Sequence, residues 1–336
     1  MTPGLPQIPW TTWRPKLLEV LPAYDRRALL SDLIAGLTVG VVALPLAMAF
    51  GIASGVTPQA GIYTAIVGGA LVSLFGGSRI QIGGPTGAFV VIVSGIIAAH
   101  GLSGLLMVTM MAGVILVVLA VTGLGQAVKF ILRPVVVGFT NGIALLIAST
   151  QIKDFFGLAI AEPPTEFFAR MTALVEGLPA LSPAALALAT VSLAIVLLAP
   201  RVVPRVPGAI IALVVGTAAV AVFRLPVDTI GSRFGGIPGG LPPVAIPEFR
   251  VDLLLPLLPS ALTVAVLAAV ESLLSAVVAD TMTGDRHNSS AELLAQGLAN
   301  LAAPLVGGIP VTGAIARTAT NFRSGRARRW PGSSTR

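Results

Sequence analysis

The sequence predicts an all-α polytopic membrane protein built from two inverted repeats. Three observations predict it. Only 10% of residues are charged and the mean hydropathy is +0.94, whereas a soluble domain carries about 25% charge. Several runs almost free of ionisable groups are each about long enough, at roughly 20 helical residues, to cross a hydrocarbon core of roughly 30 Å. A short Gly/Pro/Thr turn, "GGPTGAF" at 83–89, returns as "GIPVTGAIA" at 308–316. A large soluble core is excluded, because too little polar surface is left to coat it.

The elements follow in chain order. Residues 1–28 form a cytoplasmic lead-in. Its early prolines and two tryptophans are unlike a cleavable signal, and "EVLPAYDRRALLSDLIAG" leads into the first span. Ten segments are expected at roughly 29–50, 58–75, 83–99, 103–122, 129–150, 183–199, 207–223, 252–279, 290–306 and 312–323. Between the fifth and sixth, "FFARMTALVEGL" reads as an extracellular surface helix. The stretch 224–251 is a Gly/Pro-rich extracellular loop without regular structure. The chain has no cysteine, so disulfides and thiolate metal sites are excluded. The net charge of +7 resides in short loops and the tail, which orient a chain in a membrane and do not point to nucleic acid.

Loop charges set the orientation. With the N-terminus in the cytoplasm, the inside loops hold Arg14, Lys16, Arg26, Arg27, Arg79, Lys129, Arg133, Arg201, Arg205 and Arg286. The outside loop 51–57 is uncharged, and the outside connection 151–181 balances Lys153 and Arg170 with four acidic residues. Three arginines in 224–250 are the exception.

The repeated turn then carries a functional meaning. In this topology the third segment starts on the cytoplasmic side and the tenth on the outer side. Their directions are opposite, as in two inverted repeats offset by seven segments. Such repeats place a binding site where broken helices meet near the midplane. Pro85 presets a helix start. Thr86 or Thr312 offers a cap and a hydroxyl. Gly87 and Gly313 allow close approach to the backbone. Two facing helix N-termini make an anion site without a lysine. Ordinary helix-packing kinks are the plainer alternative.

Other residues stand out from the apolar runs. Glu271 lies deep in the eighth segment, where a carboxylate is expensive and usually functional. It can bind a cation, carry a proton or hold a network, with Ser272 and Ser275 beside it. Beside an anion site, it suggests proton–anion symport. Pro45 marks a kink, and Phe50 just beyond it can wall the pocket or face lipid. Arg317, about one turn into the tenth segment, can supply positive potential or pack by snorkelling. Asn141, between Gly138 and Gly142, reads as helix packing. Asp280, Asp285, Arg286 and His287 form a polar turn without the composition of a metal site, and His100 is a loop residue. No nucleophile–base pair points to an enzyme.

These residues resemble the sulfate permease family of anion transporters (the SulP proteins). The resemblance rests on "SDLIAGLTVGVVALPLAMAFGIASGVTPQAGIYTAIVGG", "GGPTGAF", "ESLLSA" and "GDRHNSSAELLAQGLANLAAPLVGGIPVTGAIARTATN", and covers about residues 28–325. It implies a seven-plus-seven inverted-repeat transporter fold, divided into a core and a gate domain. The first repeat is 29–223 and 252–323 is a partial second repeat, truncated after about ten transmembrane segments. The resemblance places the anion between Gly84, Pro85, Thr86, Gly87 and Ala88 and the stretch Thr312, Gly313, Ala314 and Ile315, with Phe50 lining the pocket. Arg317 joins this group from the residue reading. The resemblance also assigns Glu271, with Ser275 near it, to the coupling ion, proton or sodium. Family substrates are sulfate, bicarbonate, chloride and dicarboxylates. Homodimers and a C-terminal STAS domain are common in the family, and no cofactor or metal is implied. The expected setting is the plasma membrane, with the lipid bilayer as a partner. The alternatives are a carrier of another solute on the same architecture, such as a nucleobase, and a non-transporting remnant.

The chain departs from the family in its last residues. Where the pattern continues like "ARTPMAGIIHA", this sequence reads "RARRWPGSSTR", an aberrant basic tail over 324–336. Codons for "WPGSSTR" can be chosen that read "MAGIIHA" one base out of frame, which is the expectation for a frameshift. Sequencing the gene tests it: family-like coding just downstream in the shifted frame is expected, and its absence overturns the frameshift.

Overall fold

The computed structural model describes residues 13–123, 133–160, 164, 166–203, 206–236, 240 and 244–325. The expected basic tail falls almost wholly outside them, as do Lys129 and Arg205. Helix α1 (Lys16–Val20) belongs to the lead-in. The long α2 (Arg26–Ala53) starts at an Asp25 cap, whose carboxylate accepts from Ala28 N at 2.7 Å. It continues through Pro45. α3 (Pro58–Tyr63) passes through one π-helical turn, Thr64–Gly68, into α4 (Gly69–Phe75). After a two-residue strand, β1 (Gly83–Gly84), and a 3-10 turn at Gly87–Phe89 comes α5 (Val90–Thr122). At about 1.5 Å per residue α5 is too long for one crossing. It breaks at Gly101, whose φ of 67° and ψ of −173° are open to glycine alone. The two halves correspond to the expected third and fourth segments.

α6 (Arg133–Phe156), the surface helix α7 (Phe167–Gly177), α8 (Pro183–Val202) and α9 (Gly208–Phe223) follow. Glu166 caps α7 by accepting from Phe168 N and Ala169 N. The Gly/Pro-rich connection holds a short helix that the sequence reading did not expect, α10 (Ile230–Phe234). Its cause is a capping box: Thr229 and Ser232 exchange side-chain bonds with each other's backbone N–H. The chain closes with α11 (Leu254–Thr283), α12 (Ser289–Ala302), a strand β2 (Thr312–Gly313) and α13 (Ile315–Gly325).

Five described helical stretches are long and apolar enough to cross a membrane: Ala28–Ala53, Pro58–Phe75, Gly87–Thr122, Pro183–Val202 and Val251–Thr283. Their outer faces are apolar. Leu37, Leu197 and Val214 are among many large hydrophobic side chains left exposed by the chain itself, as lipid contact requires. The buried centre lies between α5, α11 and α12. Leu105, Val108, Ala112 and Leu116 of α5 meet Leu257, Ala261, Val264, Ala265 and Ala268 of α11, and Leu293 of α12 joins them. Small residues let these backbones approach, which is how helices associate where lipid removes the hydrophobic drive. Gly113 of α5 and Gly297 of α12 are such a pair: a Cβ on either falls 2.9 Å from the other's carbonyl oxygen.

The glycines flanking Asn141 correct an expectation. Gly138, Asn141 and Gly142 are exposed on α6, and a Cβ on either glycine meets nothing within 4 Å. Among the described residues no packing partner stands at either glycine.

Loops expected on one side do meet. Asp285 pairs with Arg79 at 2.7 Å and Lys16 at 3.5 Å, and Lys16 Nζ also donates to the Arg286 carbonyl. At the opposite loops, Arg233 of α10 faces Asp154 at 3.6 Å and Gln59 donates to Gly236 O.

Gly297→Val is expected to destabilise the protein by about 1–3 kcal/mol through overpacking. Its Cβ would stand 2.6 Å from a Val117 methyl. A lowered thermal midpoint in detergent is the check.

Candidate functional site

The two recurrent turns meet. β1 and β2 pair antiparallel, Gly83 opposite Gly313 and Gly84 opposite Thr312. Extended backbone this deep in a membrane protein must have its polar groups satisfied by protein. Here side chains do much of that. Thr64 Oγ1, on the π-helical turn, accepts from Ile309 N at 2.7 Å. Asn300 grips Val311 twice, accepting from its N–H at 2.9 Å and donating to its carbonyl at 2.8 Å. Ser272 Oγ accepts from Gly313 N at 3.0 Å. Ile82 takes the remaining place: its carbonyl accepts from Ala314 N, and its N–H donates to Thr318 Oγ1.

The side chains read as functional gather around this pair. Thr86 does not cap the following turn, as expected from its type. Its hydroxyl donates instead to Glu271 Oε2 at 2.9 Å. Thr312 is likewise no cap: its hydroxyl donates to Ala268 O and lies 2.9 Å from Ser272 Oγ. Phe50 and Ile147 flank Gly87, where a Cβ falls 3.3 Å from the phenyl ring of one and 2.7 Å from Cδ1 of the other. Ala88 is buried and Ile315 is exposed. Ser275, one turn beyond Glu271, is buried and bonded to Thr318 Oγ1 at 3.2 Å.

Arg317 is the distinctive group. Only 3% of it is exposed. One terminal nitrogen, Nη2, donates to the Pro85 carbonyl, while Nη1 has no partner among the described residues. Gly84 makes room for it. Its φ is +144°, and a Cβ there would stand 2.5 Å from Nη1. The N–H groups of Gly313 and Ala314 are already taken, by Ser272 and Ile82. What stays available on the second turn is the first N–H groups of α13 and this guanidinium.

Several contributing residues escaped the sequence reading. Glu292, Gln296 and Asn300 are fully buried on α12, and Gln81 donates to Ser272 O at 3.1 Å. The first three were visible as polar residues at intervals of four in an otherwise apolar helix. Gln81, Thr64 and Ile147 carry no comparable signal, because only folding brings them to the turns. In the polar turn after α11, His287 lies 2.6 Å from Asp280 and 3.0 Å from Ser289 Oγ, while Asp285 reaches out to Arg79 and Lys16.

Two extended turns thus interrupt the helices and pair antiparallel inside an apolar bundle. The chain belongs to the sulfate permease family, which it matches over residues 29–329. It is 50% identical over 303 residues to YvdB of Bacillus subtilis (strain 168), a protein named for sulfate transport, covering 90% of this chain and 57% of that one. It is 34% identical to the bicarbonate transporter BicA of Picosynechococcus, covering 89% and 54%. The chain therefore spans little more than half the length of these relatives. Among solved structures, the transmembrane domain of a cyanobacterial BicA superposes with a TM-score of 0.81 at 34% identity, over 91% of this chain and 79% of that one. Murine Slc26a9, at 18% identity, shares the fold with a TM-score of 0.84, over 97% and 58%.

Gly84→Ala is expected to cost about 1–3 kcal/mol from the backbone conformation alone and to push the Arg317 guanidinium off Pro85. A thermal midpoint lowered well below that of Gly95→Ala, where a Cβ meets nothing within 4 Å, is the check.

Proposed function

We propose that this chain is a secondary active anion carrier of the plasma membrane, moving sulfate or a related inorganic anion with a proton. The observation that most supports this is the unpartnered, buried Nη1 of Arg317 beside the Gly84–Pro85 backbone. A buried cation is costly unless paired, and an anion between the two turns would pair it. The first N–H groups at Gly87 and Ala88, and those of α13, add donors from two helix starts. Phe50 and Ile147 close the apolar side.

Glu271 gives this site a means of coupling. While ionised, it offsets the charge of Arg317 and consumes the Thr86 hydroxyl hydrogen. Once protonated, the acid donates to Thr86, and that hydroxyl is free to donate to the anion. One proton thus raises the site's net charge and adds a donor. Ser275, bonded to Thr318 Oγ1, keeps a lone pair for a cation, so sodium is the alternative coupling ion. The relationship to BicA favours bicarbonate as the second reading, within a substrate class that also takes in chloride and dicarboxylates. Transport would proceed by rocking of the core, with its site, against the gate domain. The end carrying Lys16, Arg79 and Arg286 would face the cytoplasm.

Uptake of labelled sulfate into proteoliposomes tests the reading, with and without an inward proton gradient and with bicarbonate and fumarate as competitors. Gradient-stimulated uptake is expected. Glu271→Gln and Thr86→Val should lose the stimulation. Arg317→Gln should raise the half-saturating sulfate concentration about tenfold, or about 1.4 kcal/mol. Stronger competition by bicarbonate than by sulfate would reassign the substrate. No uptake of any of these anions by inserted, folded protein overturns the proposal.

A further inference from the structure

A line of polar side chains runs along α12 outside the set that would touch an anion. Glu292, Gln296 and Asn300 are spaced by four residues, so they share one helix face, and all three are fully buried. They are bonded in series. Glu292 Oε2 accepts from Gly77 N at 3.0 Å. Glu292 Oε1 accepts from Gln296 Nε2 at 2.9 Å. The link from Gln296 to Asn300 runs through the helix itself: the Gln296 backbone carbonyl accepts from Asn300 Nδ2 at 2.8 Å, and Asn300 holds both backbone groups of Val311.

The two ends of this series are the approaches to the two turns. Gly77 lies on the connection from α4 to β1, and Val311 immediately precedes Thr312 of β2. The connection is pressed onto α12 at the same place: the Gly77 carbonyl accepts from Asn288 N at 2.9 Å, and a Cβ on Gly77 would lie 1.9 Å from Asn288 O. We infer that Glu292, Gln296 and Asn300 form one positioning device. It fixes the spacing of the two turns through the rigid α12, and so sets anion affinity without contacting the anion. This rests on the anion-site reading above.

The bonds also say how the device works. Glu292 has acceptor bonds from two neutral donors, while Gln296 Oε1 is buried with no partner. Glutamine at 292 would still accept from Gly77 N. Its amide would donate to Gln296 Oε1 once the Gln296 amide turned over. Hydrogen bonding, not the charge of Glu292, therefore sustains the series, which separates its role from that of a proton carrier.

The test uses the full 336-residue chain in detergent, with Glu292→Gln, Glu292→Ala and Asn300→Leu, which removes both bonds to Val311. Hydrogen exchange is followed in peptides covering 76–84 and 309–314, and equilibrium binding is measured with labelled sulfate across pH. Glu292→Ala and Asn300→Leu are expected to speed exchange about tenfold in both peptides, each at its own end and at the far one. They should raise half-saturating sulfate about tenfold, with the shape of the pH profile unchanged. Glu292→Gln should stay within about twofold of wild type in both measurements. Exchange confined to 309–314 in Asn300→Leu, or Glu292→Gln behaving like Glu292→Ala, overturns the inference. Should Glu292→Ala fail to fold, the other two variants decide. Should wild type bind no sulfate, the substrate reading fails, and the exchange result alone decides whether the device links the turns.

Discussion

The constraint on which the rest depends is the antiparallel pairing of Gly83–Gly84 with Thr312–Gly313. Each unsatisfied backbone group in an apolar interior costs several kcal/mol, and two breaks multiply that cost. The pairing removes part of it by letting each turn serve the other. Thr64, Ser272, Asn300 and Thr318 remove more, each from a different helix. The turns thus cannot be displaced singly. They hold one another, and four helices are recruited to keep them.

That arrangement explains why polar residues sit where they do. Ser272 is buried and bonds both the Thr312 hydroxyl and the Gly313 N–H. Asn300 acts toward Val311 as a neighbouring strand would, with one donor and one acceptor. The π-helical turn at Thr64–Gly68 stands against the same stretch, and a Cβ on Gly68 would be 2.5 Å from a Val311 methyl. Such turns recur at functional sites because they open the helix for a foreign contact. The surrounding helices supply rigidity through small-residue packing, as between Gly113 and Gly297.

Within this frame only a few groups are left unspent. Arg317 is one, with one amine fixed on Pro85 and the other without a partner among the described residues. Beside it the Thr86 hydroxyl donates to Glu271 Oε2. Among the described residues Gln81 Oε1 and Gln296 Oε1 are likewise buried without a partner, so the unspent groups near the breaks include acceptors as well as a donor.

Much of this was legible in the sequence. Composition required a membrane, run lengths marked the helices to within several residues, and the returning Pro/Thr/Gly/Ala turn pointed to the two breaks. Glu271 and Arg317 were visible because ionisable groups are rare in such runs. The roles within the turns were less legible. Threonine at a helix start suggests a cap, yet the Thr86 and Thr312 hydroxyls donate to α11. Gly313 and Ala314 promised free N–H groups that Ser272 and Ile82 in fact consume. Gly138 and Gly142 looked like a packing motif but face outward. The sequence by itself determined which segments are apolar and where the helices must break, since both depend on local composition and backbone freedom. Only the tertiary structure decided which donors remain free at the breaks, because that depends on partners up to 245 residues away in the chain.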